Sequence, residues 1–253
     1  MKVISVFNQK GGVGKTTTNI NLCTYLAMKG LKVLTIDIDP QGNTTSGLGI
    51  DKSTLELSTY DALTTDVALE DIIQESQLIK NLYIAPSTVE LAGAEVELIN
   101  IDNRERILKN KIKAMNKKFD YIFIDCPPSL GFITINSLTA SNSVLIPIQT
   151  EFYALEGVGQ LVNTVQLVKK SLNKQLEVEG VILTMCDNRT KLSNEVAQEV
   201  KKYFSGKLYN TTIPRNIRLA EAPSYGLPIV LYDDKCRGAE CYRNLANEFL
   251  SNQ

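Results

Sequence analysis

Gln9-Lys10-Gly11-Gly12-Val13-Gly14-Lys15-Thr16-Thr17 lies between a short apolar run, Lys2–Phe7, and a stretch of helical spacing, Lys15–Lys29, that ends at Gly30. Glycines let the backbone turn through positive φ and aim several N–H groups at one point. The helix that follows adds the partial positive charge of its N-terminus, so a polyphosphate fits there with no bulky side chain in its way. In such a loop Lys15 reaches the β- and γ-phosphates and the Thr16 hydroxyl holds Mg²⁺. A glycine turn that merely precedes a helix would need neither Gly-Lys-Thr at the helix start nor a strand before it. The common G-x-x-x-x-G-K-[ST] pattern wants glycine where this chain has Gln9, and a second lysine, Lys10, follows at the loop entrance.

Beyond the loop, apolar strands alternate with helical runs. Lys32–Asp37, Tyr121–Asp125, Ser143–Ile148 and Val181–Met185 read as strands, and Asn103–Lys118, Ala154–Leu172 and Leu192–Phe204 as helices. Leu155, Val158, Leu161, Val162, Val165 and Val168 recur at three- and four-residue steps and form one helix face. Strands apolar throughout and separated by helices predict an α/β fold, a doubly wound, mostly parallel sheet with helices on both faces. Neither a linker nor an internal repeat interrupts 1–253, so a single domain is expected. Asp37 and Asp39 follow one strand and Asp125 another. Carboxylates there sit on the ligand edge of such a sheet. Mg²⁺ on a nucleotide keeps several waters, so one or two nearby carboxylates suffice.

Composition narrows the chemistry. The 253 residues carry 27 Lys and Arg against 28 Asp and Glu, and 43% are hydrophobic. That charge balance excludes a globally basic nucleic-acid coat but not a local basic face. No apolar stretch is long enough to span a bilayer. The apolar run at Lys2–Phe7 is too short for a signal peptide. The chain has no histidine, which removes Ser-His-Asp and Cys-His nucleophiles and the common zinc sites. The 5 cysteines are dispersed without a CxxC pair, a usage that suits a reducing cytosol. Between Arg189 and Arg243 ten basic residues face six acidic ones, so that stretch carries a charge of +4.

The loop with its entrance lysine, KGGxGK[ST], resembles the deviant phosphate loop of the ParA/MinD group of ATPases. The likeness runs on through DIDPQGN at 37–43, Leu91-Ala92-Gly93-Ala94-Glu95, IDCPPSLG at 124–131 and LTASNSVLIPIQTEFYALEG at 138–157. LTMCDNRT at 183–190, Ile213-Pro214-Arg215-Asn216, EAPSYG at 221–226 and Arg237-Gly238-Ala239-Glu240 extend it towards the C-terminus. Their order and number resemble the short Soj-type ParA family, without the N-terminal helix-turn-helix extension of larger plasmid members.

That resemblance implies an ATP- and Mg²⁺-dependent cycle. ATP promotes a sandwich homodimer in which Lys10 crosses to the partner's nucleotide. Lys15 and Thr16 keep the roles given above, Thr17 lies on the α-phosphate side, and main-chain amides of Gly11, Gly12, Val13 and Gly14 follow Gln9 around the phosphates. Asp39 matches the carboxylate that positions the attacking water, and Asp37 and Asp125 match metal-site carboxylates acting through Mg²⁺-bound water. Met185, with Cys186 and Asp187 beyond it, and Pro214, Arg215 and Asn216 fall near the base. Arg189 and Arg218 resemble residues that bind duplex DNA without sequence preference. A ParB-type centromere-binding protein is the implied partner, and the cytoplasm, with nucleoid association in the ATP state, the implied location. Cargo stays open between chromosome and plasmid, as does a further part in replication initiation or sporulation.

Two relatives of the loop lead elsewhere. A membrane-associated MinD-like positioning ATPase needs a C-terminal amphipathic helix, and Asn247–Gln253 shows no basic amphipathic extension. An iron–sulfur reductase needs thiolates from two loops, and no second cysteine falls between Ile84 and Ile101 to join Cys126. Cys126 is therefore expected to be a packed thiol.

Overall fold

The computed structural model describes residues 1–151, 154–187 and 190–253. Among the described residues seven strands occur in chain order: β1 (Lys2–Val6), β2 (Val33–Asp37), β3 (Gln74–Glu75), β4 (Leu82–Ala85), β5 (Tyr121–Asp125), β6 (Ser143–Gln149) and β7 (Glu177–Thr184). The helices are α1 (Lys15–Met28), α2 (Asn43–Gly47), α3 (Thr59–Thr64), α4 (Leu91–Glu97), α5 (Ile107–Ala114) and α6 (Phe132–Ala140), then α7 (Ala154–Ser171), α8 (Lys191–Tyr203), α9 (Ile217–Glu221), α10 (Ile229–Tyr232) and α11 (Arg237–Ser251). The strands make one sheet in the order β3-β4-β2-β5-β1-β6-β7. All the pairings are parallel except the short β3 edge against β4.

Side-chain alternation explains why these strands are apolar end to end. Val3 and Phe7, Leu34 and Ile36, Ile122 and Ile124, and Val144 and Ile146 point into one cluster with α3 to α8. Ile4, Val6, Val33, Phe123, Leu145 and Ile182 point the other way, onto α1 and α9 to α11. Both faces are thus covered, as a doubly wound sheet requires. Of the α7 face, Val158, Leu161, Val165 and Val168 are buried and Val162 packs against them. The Leu155 side chain lies outside the described residues.

Register places the chemistry. Asp125 is the β5 partner of both Val6 of β1 and Asp37 of β2. The chain order changes direction at β1, which has β5 on one side and β6 on the other. The crevice beyond strand carboxyl ends at such a point is where ligands bind in this architecture.

Two expected elements are corrected. The helix expected over Asn103–Lys118 shrinks to α5 behind a 3₁₀ turn at Arg104–Arg106. Beyond Ala114, the N–H groups of Asn116 and Lys117 donate to the Glu70 carboxylate, each at 2.8 Å, instead of to helical carbonyls. The strand expected over Val181–Met185 begins earlier, at Glu177, and stops at Thr184 because Met185 turns to φ 50°. As an edge strand, β7 tolerates the polar Glu177 and Glu179 that hide its start from a reading by hydrophobicity.

Candidate active site

The loop from Asn8 to Gly14 leaves β1 and enters α1. Gly12 and Gly14 take φ of 74° and 86°, the left-handed conformation the sequence predicts for them. Among the described residues no side chain caps α1 and no acidic residue stands in its first turn, so its N-terminal amides and dipole have no anionic side chain of their own there. The loop is fastened from three sides. Asn8 Oδ1 accepts the Lys10 N–H at 3.0 Å while its amide donates to the Pro147 carbonyl at 2.7 Å. Gln9 Nε2 donates to Thr164 Oγ1 at 3.0 Å. Thr184 Oγ1, at the end of β7, donates to the Val13 carbonyl at 2.8 Å.

Lys15 is buried and curls back so that its ammonium donates to the Lys10 carbonyl at 3.0 Å. Burial lowers its pKa, and the charges of Asp125 and Asp39 oppose that shift. Lys10 itself reaches outward, with Nζ 3.4 Å from Glu151 Oε2. Arg215 approaches the other oxygen of the same carboxylate at 3.7 Å. Glu151, unmarked in the sequence reading, thus links the loop entrance to the segment around Arg215.

The carboxylates gather as expected, and two threonines join them. Asp37 Oδ2 accepts from Thr45 N–H at 2.9 Å and from the Thr45 hydroxyl at 2.8 Å. Its Oδ1 accepts the Asp39 N–H at 3.2 Å. Asp125 Oδ2 accepts from Thr44 Oγ1 at 2.8 Å, and the Thr16 hydroxyl stands beside the same carboxyl. Asp39 is almost wholly buried and takes the Gln41 N–H on Oδ1 at 2.9 Å. Asn19 of α1 donates to both Thr35 and Thr44, at 2.7 and 3.1 Å, tying the helix to this cluster. Burial pushes the Asp37 and Asp125 carboxyls up, Asp125 further because Asp37 lies alongside.

A divalent cation fits what is present. Among the described residues Asp125 Oδ1 is buried without a hydrogen-bond partner, an expensive condition for a carboxylate. The donors around it are hard oxygens from Asp37, Asp125 and Thr16, the kind Mg²⁺ takes. Among the described residues no group of three or more His, Cys, Asp or Glu is placed to cage a metal.

A cleft of about 760 Å³ opens beyond β7. Met185, Cys186, Asp187, Pro214 and Arg215 line it, and Thr212 and Arg237 join them. A backbone bond from Cys186 N–H to the Ile213 carbonyl, 3.0 Å, holds its two sides together. Asn216 is not in the lining: its Oδ1 caps α9 by accepting the Arg218 N–H at 2.9 Å. Cys126 is buried against Ser137 Oγ at 3.0 Å, the packed thiol expected.

Of the two arginines expected on DNA, Arg189 lies outside the described residues. Arg218 is exposed but paired, with Nη1 3.0 Å from Glu221 and Nε 3.5 Å from Asp233. Among the described residues no helix is long and apolar enough to cross a membrane.

A family model described as an AAA domain matches residues 1–178. The sporulation initiation inhibitor protein Soj of Bacillus subtilis is 57% identical over 99% of this chain and 99% of its own. The chain belongs to the ParA/Soj family. Another ParA/Soj member, the chromosome partitioning protein ParA of Myxococcus xanthus, is 47% identical over 98% of this chain and 88% of its own. The fold is shared more widely than ParA/Soj names. Cobyrinic acid a,c-diamide synthase from Mycobacterium smegmatis, solved with a bound ATP analogue and magnesium, superposes with a TM-score of 0.86 at 35% identity, covering 99% of this chain and 94% of that one.

Proposed function

We propose that this chain is a Mg²⁺-dependent ATPase of partitioning, a single ATPase domain over 1–253 that dimerises on ATP, binds duplex DNA without sequence preference and answers to a ParB-type partner. The observation that carries the reading is the meeting of Lys15, Thr16, Asp37, Asp39 and Asp125 beside a glycine loop whose entrance lysine, Lys10, pairs with Glu151. The amides of Gly11–Thr17 and the Lys15 ammonium bind the phosphates. Thr16, Asp37 and Asp125 would hold Mg²⁺, which when bound neutralises charge on the β- and γ-phosphates. Asp39 orients the attacking water. The cleft at Met185, Pro214 and Arg215 takes the base.

Phosphoryl transfer asks little covalent help of a protein, so its rate follows positioning and neutralisation of developing charge. Lys10 supplies that neutralisation to the opposite subunit, which makes turnover depend on assembly. Arg189 and Arg218 contact DNA, with the basic stretch doubled in the dimer. The apolar face of α11, Tyr242, Leu245 and Phe249, is buried in the core, which speaks against a MinD-like use of that helix at a membrane.

Sizing without nucleotide, with ADP and with ATP, repeated on Lys10→Ala, tests the cycle. An ATP-specific dimer in the parent protein is expected. Turnover should fall by about 10³-fold in the variant, the lower range for a missing charge in trans. Equal turnover by a strictly monomeric form overturns the reading.

A further inference from the structure

A cleft of about 450 Å³ opens between α7 and α8 at the edge of the sheet. It lies beside the start of β7, at Glu177 and Val178, whereas the far end of that strand carries Thr184, which holds the phosphate loop. The two sites are therefore separate. The floor of the cleft is core: Ile146, Leu161, Leu176 and Phe204 line it, all of them buried. Val162 and Val165 of α7 add an apolar wall, and Tyr203, 57% exposed, stands at the mouth. An apolar concavity with a few polar groups, in a volume range of about 300–1,000 Å³, is the general make-up of a small-molecule site.

The polar groups of the lining set the charge. Gln166 and Lys169 come from neighbouring turns of one α7 face, and Lys207 from the chain beyond α8. Glu177 is the one acid among the lining residues. Among the described residues neither Lys169 nor Lys207 has a carboxylate partner. Lys169, in the last turn of α7, also offsets the dipole of that helix. Lys207 has no such task. Gly206, at φ 74°, turns the chain out of α8, and the Lys207 carbonyl accepts the Val181 N–H at 2.8 Å, which fixes this residue to the edge of β7. Both lysines are exposed, so their aliphatic stems extend the apolar wall while their ammonium groups stay at the water edge.

We propose that this cleft binds a free single-chain amphiphile with an anionic head, of the fatty-acid class. The chain lies on the Leu161, Val165 and Phe204 surface, and Lys169 and Lys207 take the head. The apolar floor gives nothing to a bare anion, and the two unpaired ammonium groups favour an anionic head over a neutral one. The site stands independently of the ATPase reading.

The chain has no tryptophan, so Tyr203→Trp places a single fluorescent reporter at the mouth. Decanoate is titrated into that variant below its micelle threshold, and emission wavelength and acrylamide quenching are read. A saturable blue shift with reduced quenching is expected. Adding Lys169→Glu and Lys207→Glu to the reporter protein should weaken decanoate about ten-fold. Decanol, which has the chain without the charge, should bind both proteins alike, showing the charge-reversed fold intact, and more weakly than decanoate binds the reporter protein. No saturable shift with decanoate, equal affinity for decanol and decanoate, or equal decanoate affinity with and without the lysines overturns the site. So does an equal shift with acetate, which would leave a simple anion contact. A shift seen only with phosphatidylglycerol vesicles would overturn it too, making this face a membrane contact.

Discussion

Gly42 shows how one residue position carries the turn that aims Asp39. Its φ is 59°, its N–H returns to the Asp39 carbonyl at 2.8 Å, and its carbonyl receives the Ser46 N–H at 3.1 Å as α2 begins. Gly42→Ala meets both the left-handed penalty of about 1–2 kcal/mol and a backbone oxygen at 2.8 Å. A fall in Tm of roughly 2–4 °C per kcal/mol is expected for a chain of this size, together with a loss of ATP turnover, checked by calorimetry and phosphate release. At this scale the sequence was informative about the groups whose chemistry is written in residue type. Lys15, Thr16, Asp37, Asp39 and Asp125 all lie where the strand–loop–helix pattern put them. Glu151 was not legible, because its tie to Lys10 and Arg215 joins segments far apart in the chain. Asn216 shows in the structure the role its place before a helix also allows, with its Oδ1 capping α9.

At the scale of elements, α2 is a five-residue helix with little intrinsic stability, yet it organises the site. Thr45 donates to Asp37 and accepts the Ser87 N–H at 2.9 Å, so it joins β2 to the segment after β4. Thr45→Val keeps the shape but strands the buried Ser87 N–H and takes from Asp37 Oδ2 one of its two hydrogen bonds, a cost of about 1–3 kcal/mol. Thr45→Ser, which retains the hydroxyl, should recover most of it; urea denaturation of the pair checks this. The α11 helix illustrates a signal present but unused: Tyr242, Leu245, Ala246 and Phe249 follow helical spacing and are all buried. The end of α5 carried no such signal, because it is decided by Glu70, forty-odd positions away, taking the amides of Asn116 and Lys117.

For the whole molecule, Glu179 fastens remote parts of the chain. It accepts from Lys2 at 2.8 Å, from Gln253 at 2.8 Å and from Ser143. Burial raises its pKa, but the bonds from Lys2, Ser143 and Gln253 outweigh that and leave it below the ordinary value of 4.5. A carboxyl depressed in the folded state adds stability above its unfolded pKa and loses it as pH falls through the folded one. Glu179→Gln should therefore be less stable than the parent near pH 7, with the difference shrinking below about pH 4.5, as thermal melts across pH would read.

The proposed DNA binding belongs to this scale too, since it would sum charges from two subunits. Duplex affinity should fall steeply with salt, and removing charge at Arg189 and Arg218 together should abolish it while the ATP dimer survives. Arg218 must leave Glu221 and Asp233 to reach a phosphate, a modest obstacle for pairs this exposed. Filter binding at matched salt decides: equal retention of parent and double variant removes these arginines from the interface.

The residue order by itself determined the parallel, doubly wound class and the phosphate loop, along with the carboxylates that end two strands. Those features depend on local period, on glycine stereochemistry and on the few residue types able to do the chemistry. Only the tertiary structure decided that β5 brings Asp125 against Asp37, that Thr44 and Thr45 hold both, and that Glu151 restrains Lys10. Strand order and long-range pairing are set by how faces pack together, and packing is a property of the folded chain that no single stretch of sequence encodes.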